Sequence, residues 1–358
     1  MKTLLFLSLA FQAVLCGQEA DSGLDLRATI SVQGAYSERL AAAPRSGEPV
    51  AGGFRSVLYP NWKLSPNWTL SGALQISSRP YFFEQFSTQG YGLKTDVLQA
   101  HLSYSRFWKK SSVVFRTGLL SSAFGSFLLR YDDAVNPLID MPMSYGYYYR
   151  RVSTLGLAGA QIDATFGKVD LRAQFVNSSP ANRRSVFDRD QYGNWTAGSG
   201  YTIAQGFRVG VSAYRGPYLH RQYAFYFPGE AKPRGLPATA LGADAQWARG
   251  HWNVSGEWQR FQLAYRAIPA VNTRFAYGEI TRTLHPRWYV AARISQMGTN
   301  ISPDRQTYEF AVGFRPNMLQ LLKIGYQIQQ APNFSGASGN TLALQIITTL
   351  HPFSIAGN

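Results

Sequence analysis

The chain has 358 residues, with 35 Lys and Arg against 20 Asp and Glu, a formal net charge of +15. Only 15% of residues are charged, well below the roughly 25% of ordinary soluble domains, yet mean hydropathy is −0.18, which excludes a bundle of apolar membrane helices. Aromatics at 14% exclude a disordered chain, because so much apolar surface drives burial; a β-protein with one apolar and one polar face fits what is left.

Met1-Lys2-Thr3 is a short basic start, and an apolar run from Leu4 to Leu15 leads into polar Gly17-Gln18-Glu19. This is the shape of a secretory signal peptide, too short to span a bilayer as a helix, with cleavage expected near Cys16 or Gly17. Residues 1–17 are therefore read as a leader and 18–358 as a single barrel domain. A lipoprotein signal would place Leu three positions before Cys16 and a small residue just before it. Those positions hold Ala13 and Leu15, so Cys16 is expected to leave with the leader, and the exported chain has no thiol. Without Lys2, 34 basic residues face 20 acidic ones. They are scattered singly through an exported chain, which argues against nucleic acid as the partner.

No stretch after the leader is apolar for 18 residues in a row. Instead, segments of roughly 10 residues alternate with a period of two, the pattern of an outer-membrane barrel strand. Val113, Phe115, Thr117 and Leu119 alternate with Val114, Arg116, Gly118 and Leu120. Leu322, Ile324, Tyr326 and Ile328 alternate with Lys323, Gly325, Gln327 and Gln329. Sixteen segments are predicted: 26–38, 52–64, 68–80, 95–108, 111–120, 152–166, 169–178, 194–204, 207–215, 240–248, 251–262, 273–284, 287–297, 307–316, 320–330 and 341–353. One misread segment would make the count 14 or 18.

Seven short connections alternate with eight of about 9 to 31 residues, leaving both termini at the short-turn end. The pattern predicts an all-β, transmembrane, antiparallel up-and-down barrel with short periplasmic turns and long external loops. Trp62, Trp68, Trp108, Trp247, Trp252 and Trp288 sit on the apolar parity beside short turns, as a girdle at a lipid–water boundary would. The last predicted strand ends on Phe353 with five residues behind it, a departure from the usual terminal aromatic.

The chain resembles the 16-stranded outer-membrane porins of Gram-negative bacteria over nearly its whole exported length. Arg116-Thr117-Gly118-Leu119-Leu120, Phe124-Gly125 and Asn136-Pro137 look like the middle of the phosphate-selective porin family. The resemblance implies a homotrimer in outer-membrane lipid, a water-filled channel for small hydrophilic solutes, and a third loop, residues 121–150, folded inward as a constriction.

With the apolar parity toward lipid, the opposite parity lines the lumen. It carries Arg27, Arg55, Arg116, Arg172, Arg208, Arg293, Arg315 and Lys323, against Asp163, Asp170, Asp244, Glu257 and Glu309. A basic excess of three favours anions, unless the arginines are taken up in bracing the wall. The candidate constriction loop carries Arg130 and Arg150 with Asp132, Asp133 and Asp140, so a transverse field across the pore is a second possibility. Segment 273–284 does not sort, because Arg274 and Arg282 lie on one face and Glu279 on the other. Tyr145-Gly146-Tyr147-Tyr148-Tyr149 could stack sugars, with Tyr147 and Tyr148 the candidates, or could anchor the loop.

Five dispersed histidines form no metal or catalytic spacing, and the pairing of His101 with Ser103 on one strand face is common by chance. No enzyme, cofactor or metal is expected. The expectation is a passive porin with a mild anion preference. The alternatives are a sugar-type channel using the tyrosines and a plugged barrel binding partners through its loops.

Overall fold

A computed structural model describes residues 23–41, 48–79, 81, 92–146, 155–177, 193–217, 236–266, 269–300, 302–331 and 338–356. The leader and Cys16 lie outside the described residues.

Sixteen strands form: β1 (Gly23–Ser37), β2 (Val50–Lys63), β3 (Trp68–Arg79), β4 (Gly92–Trp108), β5 (Ser111–Leu120), β6 (Leu157–Phe166), β7 (Val169–Asn177) and β8 (Gly193–Ala204). They continue with β9 (Phe207–Pro217), β10 (Pro237–Arg249), β11 (Trp252–Leu263), β12 (Val271–His285), β13 (Trp288–Thr299), β14 (Ser302–Phe314), β15 (Gln320–Gln330) and β16 (Gly339–Ala356). Each pairs antiparallel with its sequence neighbours, and β1 closes on β16 to make a complete barrel. Closure gives every strand two partners, so no edge is left with unpaired backbone groups.

The period-2 pattern sorts cleanly across the wall. In β1, Ser31, Gln33 and Ser37 are buried inside while Ile30, Val32 and Tyr36 are exposed outside. The same split holds on β15, with Lys323 and Gln327 inward and Ile324 and Tyr326 outward. The six tryptophans beside short turns are all exposed on the outer face, whereas Trp195 stands at the opposite end of its strand, 4.5 Å from Phe175.

The strand count agrees with the sequence expectation, and Gly23, paired with both Lys63 and Ala356, puts the start of β1 and the end of β16 at the short-turn end. Three boundaries differ. In segment 152–166 the described strand starts at Leu157, and residues 152–154 lie outside the described residues. The predicted loop 298–306 is a tight hairpin, since β13 reaches Thr299 and β14 starts at Ser302, with their ends in register. The last strand runs past Phe353 to Ala356, because a register shift between Leu26 and Ala28 lets β1 keep pairing with Ser354 and Ile355.

Gly118 has φ +130, and a Cβ there would collide with the Ala100 carbonyl on β4. Only glycine tolerates both conditions, so the close β4–β5 contact depends on it.

Candidate functional site

Between β5 and β6 the chain turns into the barrel and lines one side of it. Gln174 on β7 holds the start of this loop, donating to the Ser121 carbonyl (2.7 Å) and accepting from the Ala123 N–H (3.1 Å). Phe124 is fully buried against Phe261 (ring centroids 5.8 Å apart), which meets Phe275 edge-on at 5.5 Å. Gly125 follows with φ +77, at a spot where a Cβ would strike the Tyr145 hydroxyl and the Glu257 carboxylate.

Glu257 on β11 organises the next turn. Its carboxylate accepts from Tyr145 Oη (2.8 Å), Gln259 Nε2 (2.6 Å), Ser126 Oγ (3.2 Å) and Tyr277 Oη (3.3 Å). A buried carboxylate satisfied this fully is a fixed anchor, because any partner lost would leave charge without compensation. A single 3₁₀ turn, Phe127–Arg130, then carries the loop across to β2.

There Arg55, fully buried, donates to Asp133 Oδ1 (2.9 Å), the Tyr131 carbonyl (3.2 Å) and Gln75 Oε1 (2.8 Å), with the Tyr131 ring 4.3 Å from its guanidinium. Tyr81 donates to the other Asp133 oxygen at 2.8 Å, and Tyr59 donates to Asp132. Lys323 on β15 donates to three loop carbonyls, those of Asp133 (2.7 Å), Asn136 (2.7 Å) and Leu138 (3.1 Å). Tyr289 reaches the Pro137 carbonyl at 3.0 Å. Arg293 on β13 binds the Asp140 carbonyl at 2.6 Å while held by Glu309 (2.7 Å) and Glu279 (3.3 Å). The loop closes on itself through the one-turn helix Met143–Gly146, whose Tyr145 returns to Glu257.

The opposite arc, on β5 to β10, carries a separate ladder of charge. Asp163 accepts from Arg116 and, at 2.7 Å, from Arg172. Arg208 spans Asp170 (2.6 Å) and Asp244 (2.8 Å). Gly200 on β8 makes room for this crossing, since a Cβ there would meet Arg208 and Asp170. Arg172 and Arg208 keep 29% and 26% of their side-chain surface exposed, so this ladder faces open space while the loop-side charges do not.

The candidate residues thus divide into three groups. Arg55, Arg293, Lys323, Glu257 and Glu309 clamp the loop, together with its own Asp132, Asp133 and Asp140. Arg116, Arg172, Arg208, Asp163, Asp170 and Asp244 form the ladder. Arg27 and Arg315 lie at the short-turn mouth, Arg27 with Asp25 at 3.1 Å and Arg315 with its N–H on the Arg287 carbonyl. The Asp132 and Asp133 carboxylates are held by Tyr59, Tyr81 and Arg55, and the buried Asp140 carboxylate accepts from the Met141 N–H, so the loop's acidic groups are engaged on the loop side. Glu279 faces inward, and Arg274 and Arg282 face outward.

The Arg130 side chain, Tyr147, Tyr148 and Arg150 lie outside the described residues. Tyr145, of the same aromatic cluster, is an anchor. Ser103 Oγ donates to the Thr69 carbonyl at 3.1 Å. Charge counting on the sequence missed the neutral anchors Gln75, Gln174, Gln259, Tyr81 and Tyr289; all but Tyr81 stand on the inward parity, where a tally of polar residues would have found them.

No protein-family model matches the sequence, and no curated protein matches it. The fold is similar to that of solved bacterial proteins. An anion-selective porin from Comamonas acidovorans aligns at 10% identity with a TM-score of 0.64, over 93% of this chain and all of that one. In-vitro-folded OmpT of Vibrio cholerae, an outer-membrane protein in a trimer form, aligns at 10% and 0.56, over 92% and 100%. Salmonella typhi OmpF, in complex with daunomycin, aligns at 9% and 0.61, over 91% and 97%. At these identities the likeness is one of fold.

Proposed function

We propose that the chain is an outer-membrane channel, a porin through which small hydrophilic solutes diffuse passively, with a mild preference for anions. The inside-out distribution of polarity carries this reading. A closed barrel exposing Val32, Leu74, Ile162, Leu241, Ile294 and Ile324 outward, with arginines and glutamines inside, is matched to hydrocarbon around it and water within. The outward tryptophans at the short-turn rim suit a headgroup boundary.

The inward loop supports a constriction, since it occupies one side of the lumen and leaves the charged ladder open on the other. The leader-like N-terminus supports export, and assembly as a homotrimer is part of the same reading. The anion preference rests on the short-turn mouth, because the ladder itself balances three guanidiniums against three carboxylates. Arg27, Lys63, Lys109, Lys110, Lys168 and Arg287 lie at or near the short-turn ends of the strands, where Arg27 is paired with Asp25 and Asp170 is taken up by Arg208, which leaves a basic excess among the described residues. A low-dielectric wall focuses their field into the opening.

The test is the reversal potential of the refolded protein in a planar bilayer under a KCl gradient. Stable conductance with a reversal potential of the anion-selective sign is expected. Conductance with the opposite sign would remove the anion preference and keep the channel. Silence from folded, heat-modifiable protein would overturn the channel in favour of a plugged barrel.

A further inference from the structure

The outer face of β12 to β16 is not smooth. Between two rows of cross-strand neighbours lies a groove of about 450 Å³. One row runs Ile280–Ala292–Phe310, so a methyl group on β13 sits between two bulky side chains. The next row toward the short turns runs Trp252–Arg282–Val290. Ile280 and Phe310 are walls, Val290 and Ala292 are floor, and Arg282 is the one charged side chain in the lining.

Arg282 faces outward three residues from the end of β12 and lies over the Trp252 ring at 4.7 Å. It has no carboxylate partner among the described residues. A guanidinium on an apolar outer face is unfavourable unless it sits at the headgroup level or meets an anion. The neighbouring tryptophans place it at that level, and the stacked indole leaves its N–H groups free to take a phosphate bidentately. An apolar trough with a cation at one end is complementary in charge and shape to a phospholipid.

We propose that this groove is a phospholipid site, holding one acyl chain on Val290 and Ala292 with the lipid phosphate on Arg282. The proposal rests on the membrane-channel reading. It goes beyond that reading in assigning one ordered lipid of the short-turn leaflet to a built position.

Native mass spectrometry of the folded full-length protein in detergent, titrated with phosphatidylglycerol, tests it, with conductance recorded from the same preparations. Ala292→Phe fills the trough and Arg282→Gln removes the phosphate ligand; both face away from the lumen. The expected result is one tightly retained lipid on the wild type, lost in Ala292→Phe and weakened about tenfold in Arg282→Gln. Diacylglycerol of the same chain length should bind wild type and Arg282→Gln alike. Equal retention of phosphatidylglycerol by all three proteins, with normal conductance, would overturn the lipid site and leave the channel standing. Loss of oligomers in Ala292→Phe would also overturn it, by making the groove a contact between copies. Absence of conductance in every preparation would instead overturn the channel reading.

Discussion

Lys323 shows how a single side chain can have a position set by strand parity and a role set by the chain across the lumen. Its ammonium donates to three backbone carbonyls, satisfying acceptors that a buried loop cannot pair by itself. A neutral side chain of similar length would leave all three unpaired. Lys323→Met should therefore destabilise the folded protein by about 2–3 kcal/mol, read as a lower unfolding temperature in detergent, and should raise open-channel current noise as the loop loosens. Arginine could not substitute freely, because its planar fork suits two parallel acceptors and not three carbonyls around a point. Glu257 is the acidic counterpart, a carboxylate held by four side chains and therefore unavailable for solute.

At the scale of elements, the segment from Ser121 to Gly156 is the part of the chain that breaks the barrel's two-fold rhythm. Its described residues hold one 3₁₀ turn and one turn of α-helix, too little regular structure to hold themselves, and several of their backbone carbonyls are met by the wall. The anchors come from β2, β7, β9, β11, β13 and β15, so the loop is tied to the barrel at points far apart in sequence. Deleting residues 126–146 should leave strand pairing intact, because β5 and β6 remain hydrogen-bonded to each other through Leu120 and Leu157. Single-channel conductance should rise on deletion, and planar-bilayer recording checks it; unchanged conductance would show that the loop does not limit the current.

For the molecule as a whole, charge is arranged by height. Interior charges are held by partners, in the clamp and in the ladder, while the short-turn mouth carries more basic than acidic side chains among the described residues. Paired charges change little with salt, but a field from exposed groups is screened, with a Debye length of about 10 Å at 0.1 M and about 3 Å at 1 M. The anion preference should therefore fall toward neutrality as KCl is raised at a constant gradient ratio, as measured by reversal potentials. A preference that persisted at 1 M would place its source in the ladder.

Alternation along single strands was enough to read the barrel and its sixteen strands, and the face of a side chain wherever the two faces differ in polarity, since a strand carries its two faces in a period of two. Arg208, Lys323 and Ile324 all fell on the expected faces for that reason. Short-range patterning could not reach the pairings, because Arg208 finds Asp170 and Asp244 on other strands and Arg55 finds Asp133 on the inward loop. The same limit explains segment 273–284, where Glu279 turns inward because Arg293 on the next strand waits for it, leaving Arg282 outside. The sequence by itself determined the wall, a local property of alternating side chains. Which charges are spent in bracing and which stay open to water was decided only by closure of the barrel around its loop, because ion pairing depends on distance in space and not along the chain.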